Sequence, residues 1–216
     1  TATVTAVPAE GWRFLAWTGE VEVEDSGNNP LSLAMDVPHD VEAVFVPSAT
    51  AETLSATQGG EWFDAATWGG AAVPDENTDV VIDAKTVYLP SVVNVQAKSI
   101  TVRNGGKLTS DAAYLQLHQN ACGITVEKDS TFEMTSTSST GGCVYYNDAN
   151  SPGAIVVNAG GTFVCSAIEP STTSAGGTSE INIAVSNATL TVRRDLTFQN
   201  DSSLTVAGAD GVVTVS

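Results

Sequence analysis

The residues able to do chemistry in this chain are few and scattered. Abstracting a proton from a sugar acid takes a strong base, Arg or Lys, beside acids that hold a cation against the substrate carboxylate. The cations that can be weighed for that role are Lys85, Lys98, Arg103, Lys107, Lys128, Arg193 and Arg194. Arg103 and Lys107 flank a tight turn and Arg193-Arg194 precede one, and neither pair has clustered acids at the spacing of one repeat. Glycosidic hydrolysis takes two carboxylates a set distance apart. Asp129 and Asp201 read as members of equivalent turns in distant repeats, which keeps them separated. His39 lies in a turn and His118 at a strand end. Neither has a Ser, Cys or Asp partner that spacing can place, so a nucleophilic triad has no support. No catalytic residue is assigned, and the chain is expected not to be an enzyme.

Binding chemistry leaves aromatic candidates. Tyr114, Tyr145 and Tyr146 could line one face of a stacked structure and hold a glycan by ring stacking, and Trp12 could serve as a platform, although packing is the preferred reading for each. Asp75-Glu76-Asn77-Thr78-Asp79 is rich in oxygen ligands but lacks the alternating acids of a calcium loop. No Cys or His stands at metal-finger spacing. Neither a metal nor a cofactor is expected. The cysteines, Cys122, Cys143 and Cys165, are odd in number, so at least one has no partner within the chain. Their differing strand contexts argue against a ladder and for buried free thiols. Disulfide state stays open.

The elements that must position these residues declare themselves by repetition. Ile100 and Val102 lead to Leu108, Ile124 and Val126 to Phe132, Ile155 and Val157 to Phe163, and Leu196 and Phe198 to Leu204. Between the halves lie Asn104-Gly105-Gly106, Lys128-Asp129-Ser130, Ala159-Gly160-Gly161 and Asn200-Asp201-Ser202. Alternation marks half-buried strands, and Asn, Asp, Gly and Ser turn a backbone cheaply. A strand-turn-strand unit that repeats, and cannot bury its own apolar face, predicts a solenoid. A third strand, Tyr114 to Leu117, gives three strands per circuit, as in a parallel β-helix, with right-handed crossovers expected from the general rule. Residues 136–142, 147–153 and 169–179 read as loops bulging from the stack. The close-set runs 181–185, 189–192, 196–198, 204–206 and 212–215 do not reveal where a rung begins, and a β-sandwich stays open as the alternative. The predicted class is all-β: a small four-stranded module, then a capped parallel β-helix.

Domain limits follow from composition. Residues 1–47 hold four strand-like runs, near Thr3–Val7, Arg13–Trp17, Leu31–Met35 and Val41–Val46, with Trp12, Phe14, Trp17, Leu31, Leu33, Met35, Val44 and Phe45 as a predicted core. Residues 48–58 lack a buried period and read as a linker, and residues 59–216 form the β-helix with its cap. Trp62, Asp64, Thr67 and Trp68 are assigned to that cap: two rings cover an apolar solenoid end while Asp64 and Thr67 fix the loop between them. A glycan-gripping role for the two rings is the alternative. Lys and Arg total 8 against 25 Asp and Glu, a formal charge of -17. That charge opposes nucleic acid and anionic membranes. No apolar run approaches the roughly 20 residues of a membrane span. The chain opens inside a strand pattern without a leader, so it reads as part of a longer exported protein.

Three resemblances rest on particular residues. Pro8, Gly11, Phe14, Trp17, Gly19, Asn29-Pro30, Met35 and Ala43-Val44-Phe45 resemble, in order, the divergent internalin-type B-repeat of bacterial surface proteins. That likeness implies a small β module acting as a spacer or weak binding unit outside the cell. Trp62, Asp64, Thr67, Trp68, Val73, Pro74 and Asp79-Val80-Val81-Ile82 are similar to the opening of secreted β-solenoids. They are similar also to the domain named for its eight glycines, found in extracellular proteins including some linked to hyaluronan; the glycine pattern is only partly present. Ile100 to Thr109 and Ile155 to Val164 resemble autotransporter passenger domains and other adhesin-like β-helices, a pattern many parallel β-helices share.

Together these imply a non-catalytic, adhesin-like extracellular or cell-surface segment of a large bacterial protein, with a glycan or a host or matrix protein as partner. The alternatives are an accessory, carbohydrate-binding segment of a secreted glycan-degrading enzyme, and a purely structural spacer. Oligomeric state is not legible.

Overall fold

The computed structural model describes residues 1–22, 25–48, 53–70, 72–90, 94–110, 114–117, 123–136, 142–146, 153–170, 180–198 and 201–216. The chain divides into two compact units, Thr1–Ser48 and Ala49–Ser216.

The first unit contains β1 (Ala2–Val4), β2 (Trp12–Gly19), β3 (Leu31–Leu33) and β4 (Val41–Pro47). β1 pairs antiparallel with β3, and β2 with β4. Ala6, Trp17, Leu31 and Leu33 form its buried centre, with Val4, Phe14, Val21, Val41, Ala43 and Phe45 packed around them. Trp17 keeps its indole N–H satisfied by donating to the Asn28 carbonyl at 2.8 Å. The Asn29 side chain accepts from the Ala6 amide at 2.9 Å and donates to the Ala6 carbonyl at 2.8 Å, extending a strand-like pairing beyond β1. Trp12 and Met35, placed in the core by the sequence, are instead 48% and 58% exposed. Trp12 stands opposite Pro47 where the β2–β4 ladder ends, and Met35 lies in the turn after β3, so neither is covered by another described element of the first unit.

The second unit opens with β5 (Thr53–Ser55) and β6 (Gly60–Glu61), followed by a 3-10 turn, Ala65–Trp68. One circuit comprises β7 (Asp79–Asp83), β8 (Thr86–Tyr88) and β9 (Asn94–Ala97); the next β10 (Ser99–Arg103), β11 (Lys107–Ser110) and β12 (Tyr114–Leu117); and the third β13 (Gly123–Val126), β14 (Thr131–Met134) and β15 (Cys143–Tyr146). Then come β16 (Gly153–Val157), β17 (Thr162–Pro170), β18 (Ile181–Ser186), β19 (Thr189–Leu196), β20 (Ser203–Ala207) and β21 (Val212–Val215). Strands adjacent in sequence lie on different faces, and each pairs in parallel with strands one circuit away. The first face runs β5-β7-β10-β13-β16-β18-β20. The second runs β6-β8-β11-β14-β17-β19-β21. The third runs β9-β12-β15 and continues into the latter parts of β17 and β19. Parallel pairing throughout rules out the sandwich and makes this unit a β-solenoid.

Register turns the sequence alternation into interior columns. Leu54, Val80, Ile100, Ile124, Ile155, Ile183 and Leu204 stack in one. Val87, Leu108, Phe132, Phe163, Leu190 and Val213 stack in another. Period-two alternation with one face buried fixes register strongly, because a one-residue slip would expose every column at once.

The corner between the first and second faces has one recurring shape. Ala84, Asn104, Asp129 and Asn187 there take positive φ values of 52°, 53°, 61° and 47°, and Gly160 and Gly208 do so as glycines. The residue that then enters the second face is Lys85 in the first full rung and small in the later ones, where Gly106, Ser130, Gly161 and Ala188 hold that place. A Cβ added at Gly106 would lie 2.5 Å from the Ile82 carbonyl oxygen.

The structure departs from three expectations. The fourth repeat is not Leu196, Phe198 and Leu204: Leu196 pairs with Ile168 on the third face, and Leu204 with Ile183 on the first. The true fourth repeat is Ile183 and Val185 leading to Leu190, with Asn187 at its corner. Its rung was hidden because β17 and β19 each run through two faces without a turn, bending only at an irregularity between Cys165 and Ala167. Second, Thr53–Ser55 of the expected linker forms β5, which pairs with Asp79–Val81 and buries Leu54; one buried residue is too little to leave a period in the sequence. Third, Glu169 and Pro170 belong to β17 rather than to a loop. The rest of that insertion, and most of residues 136–142 and 147–153, lie outside the described residues.

Candidate binding faces and the rung clamps

Three of the seven cations weighed as bases, Lys98, Arg103 and Lys107, are held by acids of neighbouring rungs. Lys98 Nζ lies 3.0 Å from Asp79 Oδ2, Arg103 Nε 2.8 Å from Asp83 Oδ2, and Lys107 Nζ 2.9 Å from Glu133 Oε2. Arg103 and Lys107 thus each meet a single acid one rung away, on different faces, rather than a cluster of acids. Rungs here differ in length, so a search at one fixed spacing passes over both. Ser99 Oγ donates to the other oxygen of Asp79, and Asn104 Nδ2 donates to Asp83 Oδ1 at 2.8 Å. Each is a polar clamp across adjacent strands of the first face.

These clamps bias titration. Burial opposes the Asp79 charge and is the largest single influence, but the Ser99 hydroxyl and the Lys98 ammonium together outweigh it and hold the carboxyl below its ordinary range. The Asn104 amide and then the Arg103 guanidinium do the same for Asp83. A carboxylate depressed in the folded state stabilises above its unfolded pKa of about 3.9 and loses that contribution as pH falls through the lower folded value. Thermal melts taken downward from about pH 6 should therefore fall most steeply below about pH 4. The Asp79→Asn, Asp83→Asn double variant should show a shallower acid limb, and an unaltered limb would remove the clamps as its cause.

The other sequence candidates do not converge. Asp129 occupies the corner between β13 and β14, whereas Asp201 precedes β20 at the corner that leads into the first face. The two are not in equivalent turns, since the fourth repeat lies elsewhere. The His39 Nε2 bonds the Ala34 carbonyl at 2.7 Å, and its Nδ1 stands 3.9 Å from Glu20 Oε2. His118 and Cys122 lie outside the described residues. Asp75 Oδ1 accepts from the Asn77 amide and the Thr78 hydroxyl, both at 2.9 Å, so this carboxylate closes its own loop. Among the described residues no three His, Cys, Asp or Glu gather as a metal-binding group.

Cys143 and Cys165 are buried thiols. They are not register partners, because Cys143 pairs with Ala167 and Cys165 with Met134. Burial, reinforced by Cys143, pushes the Cys165 thiol far up despite Arg194 nearby. Arg194 Nη2 donates to Cys143 Sγ at 3.0 Å from two rungs away, a contact no spacing rule would have found.

Among the aromatics, Tyr114 pairs with Asn94 and Cys143, while Tyr145 and Tyr146 pair with Gln116 and Leu117. Along the third face Tyr114 and Tyr145 share one parity of the strand alternation, and Tyr146 takes the other. Trp12 belongs to the first unit and is half exposed.

Trp62 is fully buried and Trp68 nearly so. Their rings meet edge to face, with centroids 5.3 Å apart and planes at 78°. Trp68 Nε1 donates to the Trp62 carbonyl at 2.7 Å, and the Trp62 amide donates to the Tyr88 carbonyl at 2.8 Å, seating the pair against the first full rung. Asp64 caps the 3-10 turn by accepting from the Ala66 amide at 2.9 Å, and Thr67 Oγ1 donates to the Glu61 carbonyl at 2.9 Å.

The class defined by this arrangement is a parallel β-solenoid accompanied by a small antiparallel β unit. Residues 1–49 match the family model of the divergent InlB B-repeat domain, and residues 67–150 match that of the G8 domain. No curated protein matches the chain, and no solved structure does. Among the described residues no helix is long and apolar enough to cross a membrane.

Proposed function

We propose that this chain is a non-catalytic extracellular or surface segment of a bacterial protein, one that presents the lateral faces of its solenoid to a glycan or to a host or matrix protein, in the manner of an adhesin. The likeness of both units to modules of extracellular proteins supports the location. The observation that carries the non-catalytic reading is the pairing of Lys98, Arg103 and Lys107 with acids of adjacent rungs. A cation fixed in an ion pair with a strand neighbour is a poor base, and the acid beside it is not free to hold a metal. The long flat faces then remain as the extensive surface on offer. No metal or cofactor has a part in this reading, and a charge of -17 opposes nucleic acid as a partner.

The test is an array of glycans and matrix proteins probed with the chain, beside incubations with pectin, mucin and hyaluronan. Binding that survives in about 0.15 M salt, with no cleavage, is the expected result. Cleavage of any of these polymers by the chain alone would overturn it. Absence of binding in every arm would leave the spacer reading in its place. The accessory-segment reading shares the binding result and differs in its neighbours, since it requires a glycan-degrading domain on the same parent chain.

A further inference from the structure

The sequence contains a single Asn-Gly step, Asn104-Gly105. It sits at the corner between β10 and β11, with both residues exposed and with φ values of 53° and 77°. Asn followed by Gly is the pair whose backbone is least hindered from folding back on its own side chain, because Gly has no Cβ to block the approach. We propose that Asn104-Gly105 is a site of spontaneous conversion to aspartate and isoaspartate, and that the stacked rungs on either side hold the reaction off for as long as the column is folded.

The chemistry is intramolecular. The Gly105 amide nitrogen loses its proton and attacks Asn104 Cγ; the new N–Cγ bond closes a five-membered succinimide, the Cγ–Nδ2 bond breaks, and ammonia leaves carrying that proton. Water then adds to either ring carbonyl and opens the ring, giving aspartate or isoaspartate. The balance is one water consumed and one ammonia released, with no oxidant or cofactor. Exposure of both residues leaves water free to reach the ring.

Two bonds from two different rungs oppose the first step. The attacking Gly105 amide donates to Ser130 Oγ at 3.2 Å in the rung after it. Ser130 is itself buried and donates to the Lys128 carbonyl at 3.2 Å, so its oxygen is fixed in place. The departing Asn104 Nδ2 donates to Asp83 Oδ1 at 2.8 Å in the rung before it. Nucleophile and leaving group are thus tied in opposite directions along the column axis, and attack requires both ties to break. Misplacement of reacting atoms by about an ångström costs on the order of 100-fold in rate.

The product in turn does not fit the corner. An aspartate at 104 sets a second carboxylate against Asp83 in place of a donor. An isoaspartate inserts an extra backbone carbon between residues 104 and 105, which displaces the Gly105 amide from Ser130 Oγ. Folding therefore slows conversion, and time spent unfolded is recorded irreversibly and faster at this turn.

Mass spectrometry of residue 104, with isoaspartate quantified after incubation in warm, mildly alkaline buffer, tests this on three samples: the folded chain, the chain unfolded in urea, and a synthetic peptide of residues 99–110. The folded chain should convert on the order of 10- to 100-fold more slowly than the other two. A Ser130→Ala chain shown by circular dichroism to stay folded should convert faster than the parent. Equal rates in folded and unfolded chain, or an unchanged rate in folded Ser130→Ala, overturns the proposal.

Discussion

Replacing Trp62 by Ala should destabilise the second unit by about 3–5 kcal/mol, the range for removing a fully buried large aromatic. The measurement is the urea midpoint of the isolated second unit, or of the whole chain with unfolding followed at solenoid positions. The reason lies in what the two ends of the column show. Beside the two indoles, the interior residues of the first full rung, Val80, Ile82, Val87 and Val95, are all at most 1% exposed. On the last rung Leu204 and Val206, in the columns of Val80 and Ile82, are 39% and 46% exposed, and Val215, in the column of Met134 and Cys165, is 50% exposed. The difference is the covering: β5, β6 and the Trp62–Trp68 pair lie over one end, and no described element lies over the other. Removing the Trp62 ring opens a cavity lined by the first rung and leaves Trp68 without its edge-to-face partner. A ring buried to this degree also has no free face for a sugar. An unmoved midpoint combined with lost glycan binding would reverse the assignment and make Trp62 a ligand contact.

The second large effect is expected at Phe163. It stacks directly on Phe132 in the register pair of β14 and β17, with centroids 4.4 Å apart and planes within 6°. Both rings are fully buried at mid-column. Phe163→Ala should cost about 3–5 kcal/mol, and Phe132→Ala about the same. The double variant should cost less than the sum of the two, because the rings fill one shared space. Phe163→Leu should retain most of the stability, since its neighbour in the next rung of the same column is Leu190. A loss below about 1 kcal/mol for Phe163→Ala would mean that the column collapses around the gap, which close packing argues against. Mid-column truncation also separates the rungs on either side, so hydrogen exchange should quicken in β14 and β17 first. In a stack where each rung touches only its neighbours, the damage spreads along the axis.

Much of the solenoid was legible because its code is local. The three phrases Ile100 to Leu108, Ile124 to Phe132 and Ile155 to Phe163 each carry alternation, a turn and a second alternation, and the structure stacks them position on position. The fourth went astray for a physical reason. A corner is written in Gly, Asn, Asp and Ser only where the chain turns sharply, and β17 and β19 pass from the second face to the third through a bulge that leaves no such mark. Counting turns therefore misplaced the rung, and Leu196 was joined to Leu204 across a corner. In the first unit, hydrophobicity overestimated the core. Trp12 and Met35 are as apolar as Trp17, but burial requires a covering element, and strand ends lack one.

The candidate sites divide along the same line. Asp64, Thr67 and the paired indoles act on residues a few positions away, so sequence spacing is sufficient to relate them. Asp79 with Lys98 and Ser99, Asp83 with Arg103 and Asn104, and Lys107 with Glu133 join residues one circuit apart, and a circuit has no fixed length.

The amino-acid sequence by itself determined that this chain alternates its apolar residues in repeated short strands, turns them at small and polar corners, and carries an excess of acid that opposes nucleic acid. Those properties belong to a residue and its immediate neighbours. Only the tertiary structure decided which strand lies beside which, hence that Arg103 meets Asp83, that Arg194 reaches Cys143 and that Asn104-Gly105 is tied to the rungs on both sides. Parallel pairing brings together residues separated by a variable loop, and the length of that loop is left free by the forces that hold the column.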